Sequence, residues 1–155
     1  MPKIDIAALP LVPGPPYPPP YHRDCAGRAW KRLGEAGGLT QFGVNLVTLP
    51  PGVWSSQRHW HAVEDEFIYV VSGTLTLVED EGETVLGPGD AAAFKGGARN
   101  GHTLRNLSDS DARFLVVGSR SDEDWGEYSD IDLKFGKGRY SGSRALTRKD
   151  GSPAG

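Results

Sequence analysis

Short segments of alternating apolar and polar residues make up the middle of the chain. In TLTLVEDEGETVL, residues 74 to 86, the alternation reverses about Asp80, Glu81 and Gly82. A period of two is typical of β-strands with one buried face, and an acidic pair followed by glycine is typical of a tight turn. We therefore predict a β-hairpin in which each strand has one wet and one buried face.

Other segments of similar length are separated by Gly, Asp or Asn at most of their joints. In EFIYVV, a period of two puts Glu66, Ile68 and Val70 on the inward face, with Phe67 and Tyr69 on the outward face. Many short strands at even spacing predict a sandwich or a closed barrel, and we expect no helix longer than one or two turns. The predicted strands lie in CAGRAWKRL, TQFGVNLVTL, VWSSQRHWH, EFIYVVSG, TLTLVE, ETVL, DAAAF, TLRN and ARFLVVGS.

The two ends of the chain differ from this β-rich centre. Residues 10 to 20 read PLVPGPPYPPP, which lacks the amide donors of a central strand and predicts an extended polyproline arm. We expect this arm to lie on its own barrel or on a partner subunit, although such segments also bind aromatic grooves. These features divide the chain into an N-terminal arm (1 to 24), a barrel (25 to 120) and a polar C-terminal extension (121 to 155) whose last ten residues we expect to be mobile.

Net charge and cysteine content indicate which partners and which cellular compartment to expect. The chain has 155 residues, enough for one domain, and its formal net charge of −3 provides no field for nucleic acid or an anionic membrane surface. Cys25 is the single cysteine, so no internal disulfide can form, and no apolar stretch is long enough for a signal peptide or a membrane span. We expect a cytoplasmic protein without nucleic-acid or membrane partners.

Three of the four histidines and one carboxylate form a candidate metal site. On a strand, His59 and His61 point to the same side, about 7 Å apart, so their imidazoles can converge on one ion. A short connection lets Glu66 reach the same centre, and His102 can add a fourth ligand from a separate segment. We expect one divalent ion with an open position, which is typical of catalytic metals; this ligand set suits Fe(II), Mn(II), Ni(II), Cu(II) or Zn(II).

Two alternatives remain open for this cluster. A histidine on a strand is often an ordinary core or surface residue, so the pair of histidines alone does not establish a metal site. Glu64 and Asp65 compete with Glu66, because a bulge before the strand would move the inward position by one residue.

The same residues resemble the two motifs of the cupin superfamily. A first motif of glycine, two histidines, glutamate and a closing glycine corresponds to Gly52, His59, His61, Glu66 and Gly73. The second motif is similar to GPGDAAAFKGGARNGHTLRN, with matches at Gly89, Asp90, Gly97, His102 and Asn106. Two features depart from the family pattern: Lys95 stands where proline is usual, and the loop from Gly97 to His102 is longer than usual.

The resemblance implies an all-β fold, a single double-stranded β-helix or jelly-roll barrel, and a bound metal. It does not imply a reaction, because this barrel carries many activities. Function has to be argued from the residues that face the cavity.

Strand parity and loop position indicate which residues meet a small-molecule ligand. Counting from His59 and His102, the positions Ser55, Gln57, Leu104 and Asn106 face inward, which predicts a mainly apolar cavity with a few amide and hydroxyl groups. Arg99, on the loop before His102, is placed to meet a carboxylate or phosphate at the mouth. We therefore predict substrate contacts from Gln57, Arg99 and Asn106.

Two functional hypotheses follow. The first is a metal-dependent enzyme of dioxygenase or isomerase type that acts on a small polar or carboxylated metabolite; no side chain stands out as its general base, although Glu64 or Asp65 would serve if either lined the mouth. The second is a non-catalytic module that binds or senses a small molecule. Outward aromatic residues at 54, 60 and 69, together with the proline-rich arm, predict a homodimer.

Overall fold

Residues 2 to 154 are described by a computed structural model, in which short β-strands dominate. The helical elements among these residues are a 3₁₀ turn at Ile6–Ala8 and the single turn α1 at Leu33–Ala36. The strands are β1 (Val12–Pro13), β2 (Ala29–Arg32), β3 (Phe42–Leu49), β4 (His59–His61), β5 (Glu66–Ser72), β6 (Leu75–Glu79), β7 (Gly82–Leu86), β8 (Ala91–Phe94), β9 (Thr103–Arg105), β10 (Ala112–Ser119), β11 (Gly126–Tyr128), β12 (Lys134–Phe135) and β13 (Leu146–Thr147).

These strands form two facing walls of an antiparallel barrel. One wall is a six-stranded sheet in the order β1-β2-β3-β10-β5-β8. The other consists of two smaller sheets, β13-β12-β11-β4 and β7-β6-β9, which isolated bridges join at His59–His102 and Trp54–Arg105. This is the predicted all-β jelly roll, and each of the nine predicted strand segments overlaps an observed strand.

The inward and outward faces of β5 follow the predicted alternation. Ile68 and Val70 are 1% and 0% exposed, whereas Phe67 and Tyr69 on the other face are 42% and 41% exposed. Burial of a side chain of this size contributes about 1.5–3 kcal/mol. A register slip by one residue would lose this contribution along the whole strand, so the register also fixes Glu66 at the inward position.

Two turns require glycine: Gly82 in the hairpin of β6 and β7, and Gly73, the closing glycine of the first motif. Gly82 pairs with Glu79 across the hairpin and has a φ of 128°, which side chains rarely adopt. At Gly73, φ is 78°, and a Cβ atom would lie 2.6 Å from the carbonyl oxygen of Asp111. These turns set the length of β5 and β6.

The proline-rich arm lies on its own barrel. Strand β1 pairs with β2, and the guanidinium of Arg28 donates hydrogen bonds to the carbonyl oxygens of Pro15 and Ser55. The Tyr17 ring packs edge-on against Tyr128 with ring centroids 5.5 Å apart. The arm therefore closes one side of the barrel of its own subunit.

Two of the three aromatic residues predicted to face outward are covered by the chain itself. Trp60 is 5% exposed and packs against Trp125, and Trp54 lies under the guanidinium of Arg105 at 3.7 Å. Only Tyr69 has the expected exposure. The covering of Trp54 and Trp60 weakens the sequence argument for a homodimer. The homodimer stays a prediction.

The C-terminal extension contributes to the barrel wall. Strand β11 pairs with β4, with Gly126 opposite His61 and Tyr128 opposite His59. The strands approach closely because Gly126 has no side chain: a Cβ there would lie 2.0 Å from the carbonyl oxygen of Trp60. Strands on both sides of the predicted boundary after residue 120 thus belong to one wall.

A second small core forms around these C-terminal strands. Its buried members are Tyr128, Leu133 and Phe135. These three side chains anchor the C-terminal strands. Among residues 2 to 154, no helix has the length and hydrophobicity needed to cross a membrane.

Candidate metal centre

The four predicted metal ligands converge inside the barrel. Strand β4 supplies His59 and His61, whose Nε2 atoms are 3.2 Å apart. Glu66, at the start of β5, has its Oε2 3.5 Å from His61 Nε2 and its Oε1 3.5 Å from His102 Nε2. Ligand atoms of His59, His61 and Glu66 all lie within 4.8 Å of one another, so this group can hold a metal ion.

Hydrogen bonds on the outer side of two rings orient the imidazoles of His59 and His61. His59 Nδ1 lies 2.9 Å from the carbonyl oxygen of Gln57, and His61 Nδ1 lies 2.7 Å from Asp124 Oδ2. A carbonyl and a carboxylate only accept, so each Nδ1 carries a proton and donates it. Both Nε2 lone pairs then face one another, an arrangement that requires a proton or a cation between them.

His102 has the same unmet requirement. Its Nε2 is buried without a hydrogen-bond partner, which is costly unless an ion or water satisfies it. The ring is fixed by stacking on Phe94, with centroids 3.6 Å apart and planes 5° apart. Three inward imidazole nitrogens beside a carboxylate fit a divalent transition metal.

The electrostatics of the cluster also favour a positive charge at its centre. Burial, with His102 and His61 nearby, lowers the pKa of His59 to about 3, so this ring is neutral. Burial opposes ionisation of Glu66, but the His102 and His61 imidazoles, each 3.5 Å from its carboxylate, prevail and hold its pKa well below the usual range. Burial likewise works against a charge on His61, yet Asp124 and Glu66 raise its pKa to about 9. The same carboxylates would attract a metal cation.

The departures from the family pattern leave His102 in place. His59 and His102 exchange both backbone hydrogen bonds, with N–O distances of 3.2 Å and 2.9 Å. The longer loop is tied back by Gly97, whose N–H donates to the carbonyl oxygen of His61 at 2.8 Å. Lys95 is exposed.

Sequence reasoning missed Asp124. This residue is 3% exposed, and its Oδ1 accepts the backbone N–H groups of Val63 and Glu64 while its Oδ2 accepts from His61. It lies in the acidic run SDEDW, where nothing distinguishes it from Asp122 or Glu123. Its role depends on the pairing of β11 with β4.

We expect Asp124→Asn to lower metal affinity about 10- to 100-fold, as loss of a carboxylate behind a ligating histidine typically does. Asparagine has one acceptor oxygen, so it cannot serve both His61 and the two backbone donors. Competition against a chelator measures the affinity, and Glu123→Gln, a change at a neighbouring exposed carboxylate, is the control. Equal metal affinity in Asp124→Asn and the native protein would contradict this role.

A cavity of about 710 Å³ adjoins the cluster, a size suited to a small organic ligand. Ser55 and Leu104 line it, as strand parity predicts. Tyr17 and Tyr128 add aromatic surface, and the lining contains five arginines: Arg28, Arg32, Arg120, Arg139 and Arg144.

The three residues predicted to contact substrate do not line this cavity. The Gln57 amide donates to Asp24 at 2.9 Å and to the carbonyl oxygen of Tyr21 at 3.0 Å. The fully buried Asn106 amide donates to the carbonyl oxygens of Leu49 and Ser110 and so braces a turn. Arg99 is exposed and lies over the Trp60 ring at 5.0 Å. Positions 57 and 106 lie just outside β4 and β9, where strand parity no longer fixes the direction of a side chain, so a substrate role for them stays a prediction.

Glu64 and Asp65 both line the cavity, but their carboxylates have different partners. The Glu64 side chain is 5% exposed, the Tyr140 hydroxyl donates to its Oε1 at 3.0 Å, and Arg139 lies 3.8 Å from its Oε2. Burial raises the pKa of Glu64. The Asp65 carboxylate accepts the N–H of Gly96 at 2.8 Å. Of the three neighbouring carboxylates, Glu66 belongs to the histidine cluster and Glu64 stands beside it.

Comparison with known proteins places this arrangement in a family. The model of the cupin domain matches residues 45–118. A sugar phosphate isomerase of the cupin superfamily from Silicibacter pomeroyi is 49% identical, with a TM-score of 0.93 and coverage of 99% of this chain and 97% of that one. No curated protein matches the sequence.

Two further solved structures share the fold. A protein from Acidithiobacillus ferrooxidans, assigned provisionally as a sugar phosphate isomerase, is 31% identical over 78% of this chain and 76% of its own, with a TM-score of 0.73. The polyketide cyclase RemF from Streptomyces resistomycificus is 23% identical over 77% and 79% of the two chains, with a TM-score of 0.63, and supports the fold alone. From its fold, its two motifs and its near full-length relative, this chain is a member of the cupin superfamily.

Proposed function

We propose that the protein is a metal-dependent isomerase that interconverts the aldose and ketose forms of a small sugar phosphate. His59, His61, Glu66 and His102 are the proposed metal ligands. The observation that carries the proposal is the position of Glu64: a buried carboxylate lines the same cavity as the histidine cluster and lies next to it in space.

The chemistry divides between the ion and the chain. A bound divalent ion supplies Lewis acidity to the carbonyl and hydroxyl oxygens of the sugar. The chain holds the imidazoles in place through Gln57 and Asp124, and the stacked Phe94 keeps His102 from rotating. Aromatic side chains on the cavity wall reduce the access of water.

Glu64 is the proposed acid–base residue. Aldose–ketose isomerisation moves one hydrogen between adjacent carbons and one between their oxygens, with no net oxidation. One carboxylate can take the proton from the first carbon and return it to the second, so no co-substrate is needed. The Tyr140 hydroxyl, which donates to Glu64, keeps the carboxylate aimed at the cavity.

Two considerations favour an isomerase over a dioxygenase. A carboxylate placed for proton transfer is the group that an isomerase needs, whereas oxygen activation depends on the metal alone. The relatives at 49% and 31% identity are assigned, the second provisionally, as sugar phosphate isomerases. A non-catalytic binding module would not need Glu64.

The test is conversion of aldose and ketose phosphates by the metal-loaded protein in deuterated water, followed by proton NMR. We expect interconversion, deuterium at the carbon that exchanges its proton, and loss of both after chelation. Oxygen uptake with substrate consumption would favour a dioxygenase instead. Saturable binding without conversion or exchange would favour the binding module.

A further inference from the structure

A loop of the C-terminal extension lies at the mouth of the cavity. This loop, residues 136 to 145, connects β12 and β13 and brings Arg139, Tyr140 and Arg144 to the lining. Arg120, which follows β10, reaches the same mouth. Three guanidinium groups therefore stand at one opening of a chain whose net charge is −3, with the carboxylates of Glu35 and Glu64 near two of them.

The loop is held in one conformation by hydrogen bonds. The Asp122 carboxylate accepts the backbone N–H groups of Tyr140 and Ser141 at 2.7 Å and 3.1 Å. The carbonyl oxygen of Gly138 accepts those of Ser143 and Arg144 at 3.0 Å and 3.1 Å. A loop anchored in this way presents its side chains at defined positions, which lowers the entropy cost of binding.

Arg144 is the guanidinium without a counter-charge. No carboxylate in the part of the chain that the structure describes lies within 4.0 Å of it, although the side chain is half-buried. Its Cζ lies 4.1 Å from the centre of the Phe135 ring, and that ring is 5.2 Å from the ring of His61. One aromatic ring therefore separates a cationic head from the histidine cluster. Burial and the nearby Arg139 lower the pKa of Arg144, as expected for a cation that lacks an anion.

The other two arginines have weak partners. Arg139 and Arg120 lie 5.4 Å and 5.6 Å from the centre of the Tyr140 ring. Arg139 reaches Glu64 only at 3.8 Å, and Arg120 reaches the half-exposed Glu35 at 3.4 Å. Such pairs contribute little and leave guanidinium donors available to a ligand.

We infer that Arg144, assisted by Arg139 and Arg120, forms a subsite for the phosphate group of the ligand at the cavity mouth. The position of the sugar at the histidine cluster rests on the proposed function; the subsite itself requires only an anion with several acceptor oxygens. A phosphate group has more acceptor oxygens and more negative charge than a carboxylate, so it is better suited to accept from several guanidinium groups at a time. The subsite would hold a phosphorylated ligand with its other end toward the histidines.

Titration of inorganic phosphate into the metal-loaded protein, followed by calorimetry, tests the subsite. We expect Arg144→Gln to weaken phosphate binding about ten- to hundredfold, the range for hydrogen bonds to charged groups. Arg148→Gln, a change at an exposed arginine outside the cavity, should leave it unchanged. Phosphate should also bind to a His59→Ala/His61→Ala variant, which excludes the metal as its ligand.

The outcomes separate the subsite from the proposed reaction. Unchanged phosphate affinity in Arg144→Gln, or no phosphate binding by the native protein, overturns the subsite even if sugar phosphates are isomerised. Loss of phosphate binding in Arg144→Gln without turnover of any sugar phosphate supports the subsite and counts against the isomerase. If the subsite and the isomerase reaction are both correct, Arg144→Gln should raise KM for the sugar phosphate far more than it changes kcat.

Discussion

Replacing His59 and His61 together with alanine is expected to abolish stoichiometric metal binding and, with it, all metal-dependent turnover. The double substitution removes two of the three inward imidazole nitrogens, and the remaining Glu66 and His102 offer too few donors to hold a divalent ion against water. The Nε2 atoms of the two histidines lie 3.2 Å apart, and their removal also removes the repulsion between their facing lone pairs. The barrel should therefore still fold.

Elemental analysis of protein purified without added metal measures this effect. The control is His22→Ala, which removes the histidine that stands outside the cluster. Circular dichroism and thermal unfolding show whether the variants fold. Full metal occupancy in the folded double variant would refute the proposed ligand set. The native protein in the same experiment identifies the element, and iron with oxygen uptake would shift the proposed reaction toward oxygenation.

The second large effect is expected at Glu64. Glu64→Gln keeps the shape of the side chain and the contact with Tyr140 but removes the carboxylate that moves the proton, so kcat should fall about 10²- to 10⁴-fold. Metal content should not change, because Glu64 is outside the proposed ligand set. Steady-state kinetics with parallel metal analysis measures both quantities.

Glu83→Gln, a change at an exposed carboxylate on β7, is the matched control and should leave kcat unaltered. Loss of metal together with activity in Glu64→Gln would mean that Glu64 ligates the ion instead of transferring a proton. An unchanged kcat with normal metal content would remove Glu64 from the mechanism.

Local periodicity was enough to predict the strands and the inward face of β5. Each of these predictions depends on neighbours within a few residues, since side chains alternate along a strand whatever the rest of the chain does. The convergence of His59, His61 and Glu66 followed from the same rule plus one short connection. The approach of His102 came from the resemblance to a known pair of motifs.

The predicted substrate residues lie outside the cavity lining where parity was extended beyond a strand. Gln57 and Asn106 lie just outside β4 and β9, and their amides bind backbone and side-chain partners from other segments. Arg99 was placed correctly on a loop, but the Trp60 ring that it covers lies away from the cavity. Packing between distant segments decides such partners, and strand parity carries no information about that packing.

The amino-acid sequence by itself determined the β-rich barrel, the inward position of its histidines and the choice of a metal-binding family. Only the tertiary structure decided which acids and arginines serve that centre. Asp124 reaches His61, and Arg144 reaches the adjoining cavity, because β11 pairs with β4 across more than sixty residues of chain and β13 pairs with β12 in the same sheet. In the sequence, both residues lie in a polar extension that has no hydrophobic periodicity. Contacts between segments so far apart are set by the free energy of packing the whole barrel, so no local pattern specifies them.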